Sequence, residues 1–578
     1  MRRQDLKATK SLFSLRGTAP IAAIFLALWV GPGARADSLA VVDPLPPGPY
    51  AVGCSNIAQD FSRVQPGESA QNYWEGYPDG SRDRYVTQLL ADPADALVVN
   101  VSVPDDRELY TNRAATQVPF ALLVCYPTTA DNPYPDYPLP SGSAVPHMQQ
   151  GAQPPIFADA NARWPVLLFS HGLVGSPISS DYISALARLA SYGYVIVAPF
   201  HGDPRFTDVN IDNLSDFLYA LLHFDTFVEM QALRPLSLSR SLDYVFAHPQ
   251  YRDHLDVNRV GGFGGSQGGE SLLLMTGAKL TITVGMSSKQ VLVDPRLKAI
   301  VGYVPYLGQP FLPAFGRDQS GLDGIATPFL AISGGADLTA PLETTLEGVD
   351  RMVGSRDVVV LAGVDHGFDV PSTDDIFTWS MTFLAAHVND DRAARVRIAR
   401  MTMVRGGGND FLVRDYTAPS SLLPGELDTI EYFGSALGDY FLTAAPEEAA
   451  VLDAGLLPGW ARTGFAFKSW SAAAGHGLPV CRFFGKPGPG PYAHFFTIDP
   501  VECAVVAASP AWIFEGVPFF EDPPAAGDCA ADRIPVMRLY NNFMNGQVGH
   551  RYLTSKSEVV SMIADGWLYE GVAFCSPP

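Results

Sequence analysis

The sequence predicts an α/β protein with a mostly parallel central sheet flanked by helices, followed by a smaller α+β module of three repeats. Short, continuously apolar runs alternate with amphipathic stretches between residues 164 and 388, and strands of this kind are covered by helices on both faces. Self-similarity at a spacing of roughly fifty residues begins at residue 430. A chain of 578 residues that is 47% hydrophobic is too long for one ordinary domain.

Residues 1–36 have the organisation of an export signal. A basic segment that includes Arg2 and Arg3 precedes an apolar run, Pro20 to Val30, that is too short to span a membrane comfortably. An A-x-A cleavage site follows at residues 34–36. We expect a secreted or periplasmic protein without a transmembrane anchor, exported by either the general or the twin-arginine route.

The net charge, the histidine spacing and the cysteine count indicate which partners, metal sites and disulfides to expect. A net charge of −21 repels phosphate backbones, so we expect no nucleic-acid partner. The histidines show no metal-ligand spacing, and we expect no metal and no cofactor. Six cysteines in an exported chain predict disulfides. The sequence does not fix their connectivity, but pairing within neighbouring groups is the most economical arrangement, namely Cys54–Cys125, Cys481–Cys503 and Cys529–Cys575.

Changes in composition and in the pattern of apolar residues divide the chain into regions. Residues 37–400 form the predicted catalytic domain, and its first part, 37–161, reads as a meander with a long proline-rich loop. Residues 401–429, which include three consecutive glycines, are the predicted linker, and residues 430–578 are the repeat module. The predicted strands of the catalytic domain lie at residues 119–125, 165–170, 194–199, 259–264, 297–304, 327–333 and 357–361, and two predicted helices at 182–191 and 237–247.

A glycine-rich stretch, "VGGFGGSQGGESLLL" from Val260 to Leu274, surrounds one serine. It contains a G-x-S-x-G pentapeptide centred on Ser266, directly after a predicted buried strand and before a predicted helix. A nucleophile elbow requires this order, and small neighbours allow the sharp turn that exposes the hydroxyl. Ser266 is therefore the predicted nucleophile.

A serine hydroxyl needs a base to remove its proton and a carboxylate to orient that base. Asp337 follows one predicted strand in "GGADLTAP", and His366 follows the next strand in "AGVDHGFDV". The chain order Ser, Asp, His matches the order on this type of sheet. Asp337 and His366 are the predicted acid and base, with Asp365 and Asp369 as alternative acids.

Two backbone N–H groups are needed to stabilise the negative oxygen of a tetrahedral intermediate. The residue after the nucleophile, Gln267, supplies one. The loop "FSHGLVGS" follows an earlier strand and supplies the other from Leu173. His171 in the same loop is interpreted as a structural histidine that supports the loop.

Residues Trp164 to Val388 resemble the α/β-hydrolase superfamily, on the motifs "FSHGL", "DVNRVGGFGGSQGG", "GGADLTAP" and "DHGF". They are most similar to the branch that contains platelet-activating-factor acetylhydrolases, dienelactone-hydrolase-like esterases and bacterial polyester hydrolases. The resemblance implies the same nucleophile, acid, base and two oxyanion donors that the residues themselves indicate. One position departs from the pattern of these enzymes. Gly265 stands where many of them carry His, Trp or Tyr, so a contact that shapes the acyl pocket is missing.

The C-terminal units begin at Ile430, Val480 and Val536. Each has an aromatic strand, a turn, a short aromatic run that ends in Thr, a short helix, and then a Trp and a Gly-containing aromatic closure. Repeats of this kind bury a shared core together. The recurring tryptophans are Trp460, Trp512 and Trp567, which we interpret first as core residues. The segment resembles an uncharacterised repeat module of secreted bacterial hydrolases.

These observations predict a secreted serine hydrolase that cleaves carboxylic esters through an acyl-enzyme on Ser266. Two alternatives stay open. One is an extracellular polyester depolymerase whose C-terminal module adsorbs to a polymer or another extracellular surface. The other is a non-catalytic binding protein on a hydrolase scaffold.

Overall fold

The structure, a computed structural model, describes residues 40–58, 84–91, 96–139, 141–209, 214–310, 312–419, 421–486, 488, 490–544 and 548–578. The predicted export signal, residues 1–36, lies outside the described residues. The chain has two parts, an α/β part up to Tyr416 and a C-terminal part of three small sheets.

The strands and helices of the α/β part alternate along most of its length. The strands are β1 (Ala40–Val42), β2 (Ala51–Cys54), β3 (Leu97–Ser102), β4 (Gln117–Thr128), β5 (Tyr137–Pro138), β6 (Ala144–Val145), β7 (Trp164–Ser170), β8 (Val195–Pro199), β9 (Leu255–Gly265), β10 (Lys279–Thr281), β11 (Ser288–Gln290), β12 (Leu297–Tyr303), β13 (Gly308–Gln309), β14 (Leu312–Pro313), β15 (Phe329–Gly334), β16 (Arg356–Leu361), β17 (Met401–Val404) and β18 (Asp410–Tyr416). The helices are α1 (Arg84–Ala91), α2 (Ser180–Ser191), α3 (Leu214–Leu222), α4 (Phe224–Ala247), α5 (Gln267–Met275), α6 (Leu342–Val349), α7 (Thr373–His387) and α8 (Arg392–Arg400).

The central sheet has ten strands in the order β18-β16-β15-β12-β9-β7-β8-β4-β2, with β3 also paired to β4. The six strands from β16 to β8 are all parallel, as the continuously apolar runs predicted. The strands at both ends are antiparallel. The α/β class with a mostly parallel sheet is therefore confirmed, although residues 37–161 contribute more strands than the single one that was predicted.

Both faces of this sheet are buried. Along β7, Leu167 and Phe169 pack in one apolar cluster, and Val166 and Leu168 pack in the other. Helices cover each face, so the strand is fully buried from end to end. This rigid double-sided core fixes the carboxyl ends of the parallel strands, where site residues are expected.

The stretch predicted as a linker, 401–429, differs from that expectation. Here β17 pairs with β1, and β18 forms the antiparallel edge of the central sheet beside β16. The strand β18 alternates between buried and half-buried residues, as an edge strand does, so it lacks the continuous apolar run that marks the inner strands. The α/β part consequently reaches Tyr416, and the connection to the next strand begins after it.

The C-terminal part contains three segments with the same order of strand, strand, helix and strand. The first unit is β19 (Glu426–Gly434), β20 (Asp439–Thr443), α9 (Pro446–Asp453) and β21 (Trp460–Trp470), followed by β22 (Leu478–Pro479). The second is β23 (Cys481–Gly485), β24 (His494–Thr497), α10 (Pro500–Ala508) and β25 (Trp512–Gly516), followed by β26 (Phe520–Glu521). The third is β27 (Ile534–Tyr540), β28 (His550–Leu553), α11 (Lys556–Ala564) and β29 (Leu568–Ser576).

One apolar cluster draws residues from all three units, among them Leu442, Phe496 and Phe574. The three tryptophans at the start of the closing strands are half-buried and pack against smaller local clusters. The third unit also docks on the α/β part, because Asp415 accepts hydrogen bonds from the backbone of Lys556 and Ser557.

The three expected disulfides are present. They join β2 to β4 (Cys54–Cys125), β23 to α10 (Cys481–Cys503), and Cys529 to Cys575 in β29. Disulfides of this kind persist in oxidising compartments. Within the described ranges, no helix combines the length and the apolar composition needed to cross a membrane.

Candidate active site

Ser266 occupies a sharp turn between β9 and α5. Its backbone has φ 52° and ψ −121°, a left-handed conformation that a residue with a side chain adopts only under constraint. The constraint comes from the neighbouring strand end: the Ser266 N–H donates to the Tyr303 carbonyl at 2.9 Å, and the Ser266 carbonyl accepts from the Tyr306 N–H at 3.0 Å. The turn therefore holds the serine hydroxyl at the carboxyl edge of the sheet.

Two glycines of the pentapeptide are required by space. A Cβ atom on Gly264 would lie 2.4 Å from the carbonyl carbon of Gly268, and one on Gly268 would lie 1.8 Å from the carbonyl oxygen of Ser170. Both obstacles are backbone atoms, which cannot move aside as a flexible side chain can. The glycines thus allow α5 to begin directly against β7 and β9.

The structure brings Ser266, His366 and Asp337 together. The Ser266 Oγ lies 2.8 Å from His366 Nε2, and His366 Nδ1 lies 2.8 Å from Asp337 Oδ2. The Asp337 side chain is fully buried, whereas His366 is 28% exposed. The other carboxylate oxygen, Asp337 Oδ1, accepts the backbone N–H groups of Thr339 and Ala340, each at 2.8 Å. The backbone therefore holds the carboxylate in place independently of its contact with the imidazole.

The alternative acids have other partners. Asp365 accepts the Gly367 N–H at 2.9 Å, and Asp369 accepts the Ser372 N–H at 3.0 Å. Within the described part of the chain, neither carboxylate forms a hydrogen bond with the imidazole of His366. Of the three candidate acids, Asp337 is the one that contacts the imidazole of His366 in the described ranges.

The two expected oxyanion donors flank the serine. The loop after β7 approaches it closely, since a Cβ atom on Gly172 would lie 3.4 Å from Ser266 Cβ. Gln267 is the first residue of α5, so its N–H has no acceptor within the helix. The Leu173 N–H also has no acceptor in the described ranges, although the N–H groups on either side of it are both bonded.

Those flanking bonds come from residues that sequence reasoning did not identify. The Gly172 N–H donates to Tyr182 Oη at 2.9 Å, and the Val174 N–H donates to Asp203 Oδ2 at 2.9 Å. Because both neighbours are held, the Leu173 N–H keeps one direction. Tyr182 lies on α2, and Asp203 lies on a short 3₁₀ turn after β8.

A buried arginine completes the support of this loop. Arg234, on α4, donates to the carbonyl of His171 at 2.7 Å and to that of Gly172 at 3.0 Å. Its Nε donates to Asp203 Oδ1 at 2.9 Å, and both side chains are 1% exposed. A buried ion pair of this kind is tolerated only where its hydrogen bonds are satisfied. The only sequence signal for it was a single arginine within an otherwise uncharged stretch of helix.

His171 is a neutral structural residue. Burial, followed by the nearby Arg234 guanidinium, lowers the pKa of His171 to about 4. Its Nδ1 donates to the Gly172 carbonyl at 2.8 Å, and its Nε2 accepts the His201 N–H at 3.2 Å. Both ring nitrogens are thus engaged by the backbone, in keeping with a supporting role.

Tyr182 also occupies the space beside Gly265. A Cβ atom on Gly265 would lie 2.9 Å from the Tyr182 ring. The bulky residue that many similar enzymes carry at this position is therefore replaced in space by a tyrosine from a different helix. Burial raises the pKa of Tyr182, so its hydroxyl stays protonated.

Comparison with known families adds two matches. Residues 146–207 match the model of platelet-activating factor acetylhydrolase, isoform II, and residues 429–577 match a domain of unknown function, DUF5648. Among curated proteins, none matches this chain. The first match includes β7, the Leu173 loop and β8. Together with the α/β sheet, it supports an α/β-hydrolase-like serine esterase, that is, a hydrolase of ester substrates.

No group of three or more His, Cys, Asp or Glu side chains within the described ranges is arranged to hold a metal ion.

Proposed function

We propose that this protein is a secreted serine hydrolase that cleaves carboxylic esters through an acyl-enzyme on Ser266. The hydrogen-bonded series from Ser266 through His366 to Asp337, with both contacts at 2.8 Å, is the observation that supports this most. A hydroxyl on a constrained turn, an imidazole and a buried carboxylate are the parts that nucleophilic ester cleavage requires.

The proposed reaction has two steps, acylation of Ser266 and hydrolysis of the acyl-enzyme. His366, Asp337 and the two N–H groups act in both. Ser266 Oγ attacks the acyl carbon while His366 Nε2 accepts its proton, and the carbonyl oxygen gains a negative charge between the N–H groups of Leu173 and Gln267. Collapse of this intermediate breaks the ester C–O bond, and His366 returns the proton to the leaving alcohol. A water molecule then releases the acid by the same steps, with Asp337 orienting the imidazole throughout.

Export is part of the proposal. Three disulfides indicate an oxidising compartment, and the predicted signal at residues 1–36 provides a route to it. We place the enzyme with the platelet-activating-factor acetylhydrolase, dienelactone-hydrolase-like and polyester-hydrolase branch, on the motifs around Ser266 and His366. We also propose that the three C-terminal units are copies of one repeat, since each has the same order of elements.

A second candidate function is extracellular polyester hydrolysis with the C-terminal module as an adsorption domain. The observation that favours it is a group of exposed apolar side chains on the second unit: Val501 is 70% exposed, Val505 66% and Phe514 50%. An apolar polymer could cover such a surface, and adsorption would raise the local concentration of the catalytic part. The third alternative, a non-catalytic binding protein, leaves the intact series of Ser266, His366 and Asp337 without a role.

Hydrolysis of p-nitrophenyl esters of increasing chain length, measured beside release of soluble product from an insoluble polyester film, tests these functions. We expect hydrolysis of at least one soluble ester and its loss in Ser266→Ala. Ser271→Ala, which changes a buried serine one turn further along α5, is the matched control. Film hydrolysis would select the polymer alternative, and a wild-type chain inactive on all these esters would favour the binding protein.

A further inference from the structure

Charged and aromatic side chains meet where the first and second units of the C-terminal part join, a boundary we call the first seam. Arg482 on β23 lies over the Phe441 ring, with its guanidinium carbon 5.0 Å from the ring centroid. It donates to both carboxylate oxygens of Glu448 on α9, each at 2.8 Å. Its Nε lies 3.1 Å from Glu515 on β25. Aromatic, cationic and anionic groups therefore share one surface.

The first seam is open. A groove of about 420 Å³ runs along it, within the range of roughly 300–1,000 Å³ typical of small-molecule sites. Its lining includes Phe441, Glu447, Glu448, Trp460, Arg482 and Glu515. The Trp460 indole packs on one side against Gly434, where a Cβ atom would lie 2.8 Å from the ring. The ring is thus held in place while it lines the groove.

The second seam, between the second and third units, repeats these side chains. Arg538 lies 5.4 Å over the ring of Phe495 and pairs with Glu502 at 3.1 Å and Glu570 at 2.9 Å. Phe495 contacts Trp512 at a centroid distance of 5.9 Å, the same distance that separates Phe441 from Trp460. The same constellation therefore occurs twice.

The third seam, between the third and first units, has a different arrangement of charges. The strand position that Arg482 and Arg538 occupy holds Glu431 instead, and Arg551 pairs with it at 3.0 Å. The Arg551 and Glu431 side chains are only 4% and 1% exposed. The Arg551 guanidinium also lies over the rings of Tyr440 and Phe465, at 4.4 and 5.2 Å from their centroids. The arginine of the third seam is thus buried among its partners, whereas Arg482 lines an open groove.

Several carboxylate oxygens in the first seam accept no hydrogen bond from the described residues. Glu515 Oε1 and both oxygens of Glu447 have no hydrogen-bond or ion-pair partner in the described ranges. A carboxylate offers about four acceptor positions, and all of Arg482's contacts use Glu448 and the other oxygen of Glu515. Acceptors for several hydroxyl donors therefore remain at the edge of an aromatic surface.

We propose that the first seam binds a neutral saccharide unit. The apolar C–H face of a sugar ring would stack on Trp460, its hydroxyls would donate to Glu515 and Glu447, and Arg482 would donate to ring or hydroxyl oxygens. Glutamates at the edge repel polyanions. This inference does not depend on Ser266 being a nucleophile.

Affinity electrophoresis of the full chain tests the proposal. Native gels would contain hydroxyethyl cellulose, glycol chitin, laminarin, xylan or galactomannan, with polygalacturonate as an anionic control. We expect at least one neutral polysaccharide to slow migration and polygalacturonate to have no effect. The retardation should persist at about 0.5 M NaCl, because neutral hydroxyls do not depend on charge attraction that salt screens.

Two variants locate the site and one controls for it. Trp460→Ala should weaken retardation at least about tenfold, as the loss of a central aromatic contact does. Glu515→Gln, which keeps the shape of the side chain, should weaken it about three- to tenfold and serves if Trp460→Ala does not fold. Tyr492→Ala, which removes a 53% exposed aromatic ring outside the groove lining, should migrate as the wild type.

The proposal is overturned if no neutral polysaccharide slows the wild-type chain, or if Trp460→Ala and Glu515→Gln are retarded as strongly as the wild type. Retardation by polygalacturonate that about 0.5 M NaCl abolishes would indicate an anionic ligand, which also overturns the proposal.

Discussion

Among the described residues, each of the two parts contains one aspartate–histidine pair. In the α/β part, Asp337 contacts His366 Nδ1 at 2.8 Å, and in the C-terminal part Asp439 contacts His494 Nδ1 at 2.6 Å. Both carboxylates are fully buried. The far nitrogen differs: His366 Nε2 meets the Ser266 hydroxyl at 2.8 Å, whereas His494 Nε2 faces Glu515 at 3.6 Å.

The difference shows what makes such a pair suitable for catalysis. His494 lies between two carboxylates, and no hydroxyl among the described residues contacts its imidazole. His366 faces a serine on a constrained turn, beside two N–H groups that have no acceptor in the described ranges. An aspartate–histidine pair can therefore join units of a fold or orient a base, and the group on the far nitrogen decides between the two.

The largest expected effect separates the two histidines directly. His366→Ala should lower kcat by about 10⁴- to 10⁶-fold, since members of such a triad act as a unit. His494→Ala should leave kcat within about twofold and instead lower the melting temperature, because it leaves the buried Asp439 without its partner. Steady-state kinetics on a soluble ester and thermal unfolding of both variants check this. Equal loss of activity in the two variants would contradict the comparison.

The next largest effect compares a buried arginine–aspartate pair in the α/β part with an exposed one in the C-terminal part. Arg234→Met should destabilise the fold by about 3–5 kcal/mol, because it leaves Asp203 buried and unpaired, and it should also lower kcat. Arg462→Met removes an exposed pair with Asp453 that solvent screens, and it should destabilise the fold far less than Arg234→Met does. Urea unfolding measures both. A loss below about 1 kcal/mol in Arg234→Met would show that the loop does not depend on this pair.

Much of the α/β part could be predicted from sequence, because the information is local. Continuous apolar runs identified the inner strands, and the position of Ser266, Asp337 and His366 after such runs placed them at one edge of the sheet. Arg234 could not be predicted in the same way, since it reaches the Leu173 loop from a helix about sixty residues further along the chain. Tyr182 lies only ten residues from Gly172, but no motif marks its hydroxyl as the acceptor of the Gly172 N–H. The edge strand β18 escaped prediction because one of its faces is only half-buried.

Two buried or half-buried glutamates should respond to pH with opposite signs. Burial raises the pKa of Glu270, on α5, to about 7. The folded state then binds more protons than the unfolded state between about pH 4.5 and 7, so Glu270 should reduce stability as pH rises through this window, by on the order of 3 kcal/mol. In Glu270→Gln this contribution should be absent.

Glu448 is the matched case in the C-terminal part. The Arg482 guanidinium lowers the pKa of Glu448, so its contribution is present above the ordinary glutamate pKa and is lost as pH falls below it. Because Glu448 is 37% exposed, the effect of Glu448→Gln should be small. Unfolding free energies of the three chains from about pH 3 to 8 check both signs, because the contribution of Glu448 is lost below the ordinary glutamate pKa. A Glu270→Gln curve parallel to that of the wild type would contradict the first.

The smallest effect expected on kcat is that of Tyr182→Phe. The ring remains and still fills the space beside Gly265, but the Gly172 N–H loses its acceptor. We expect kcat to fall about tenfold with little change in KM, because the Leu173 N–H would be less well directed at the transition state. Tyr492→Phe, on an exposed ring, is the control and should change neither constant.

The central claim is that Ser266 alone is activated as a nucleophile. A fluorophosphonate ester, which reacts with activated serines, should add one phosphonyl group per chain, and mass spectrometry of the digested protein should place it on the peptide containing Ser266. The adduct should be absent from Ser266→Ala and should form far more slowly in His366→Ala, but at the wild-type rate in His494→Ala. A chain that hydrolyses esters yet carries the adduct on another serine, or none at all, would contradict the account.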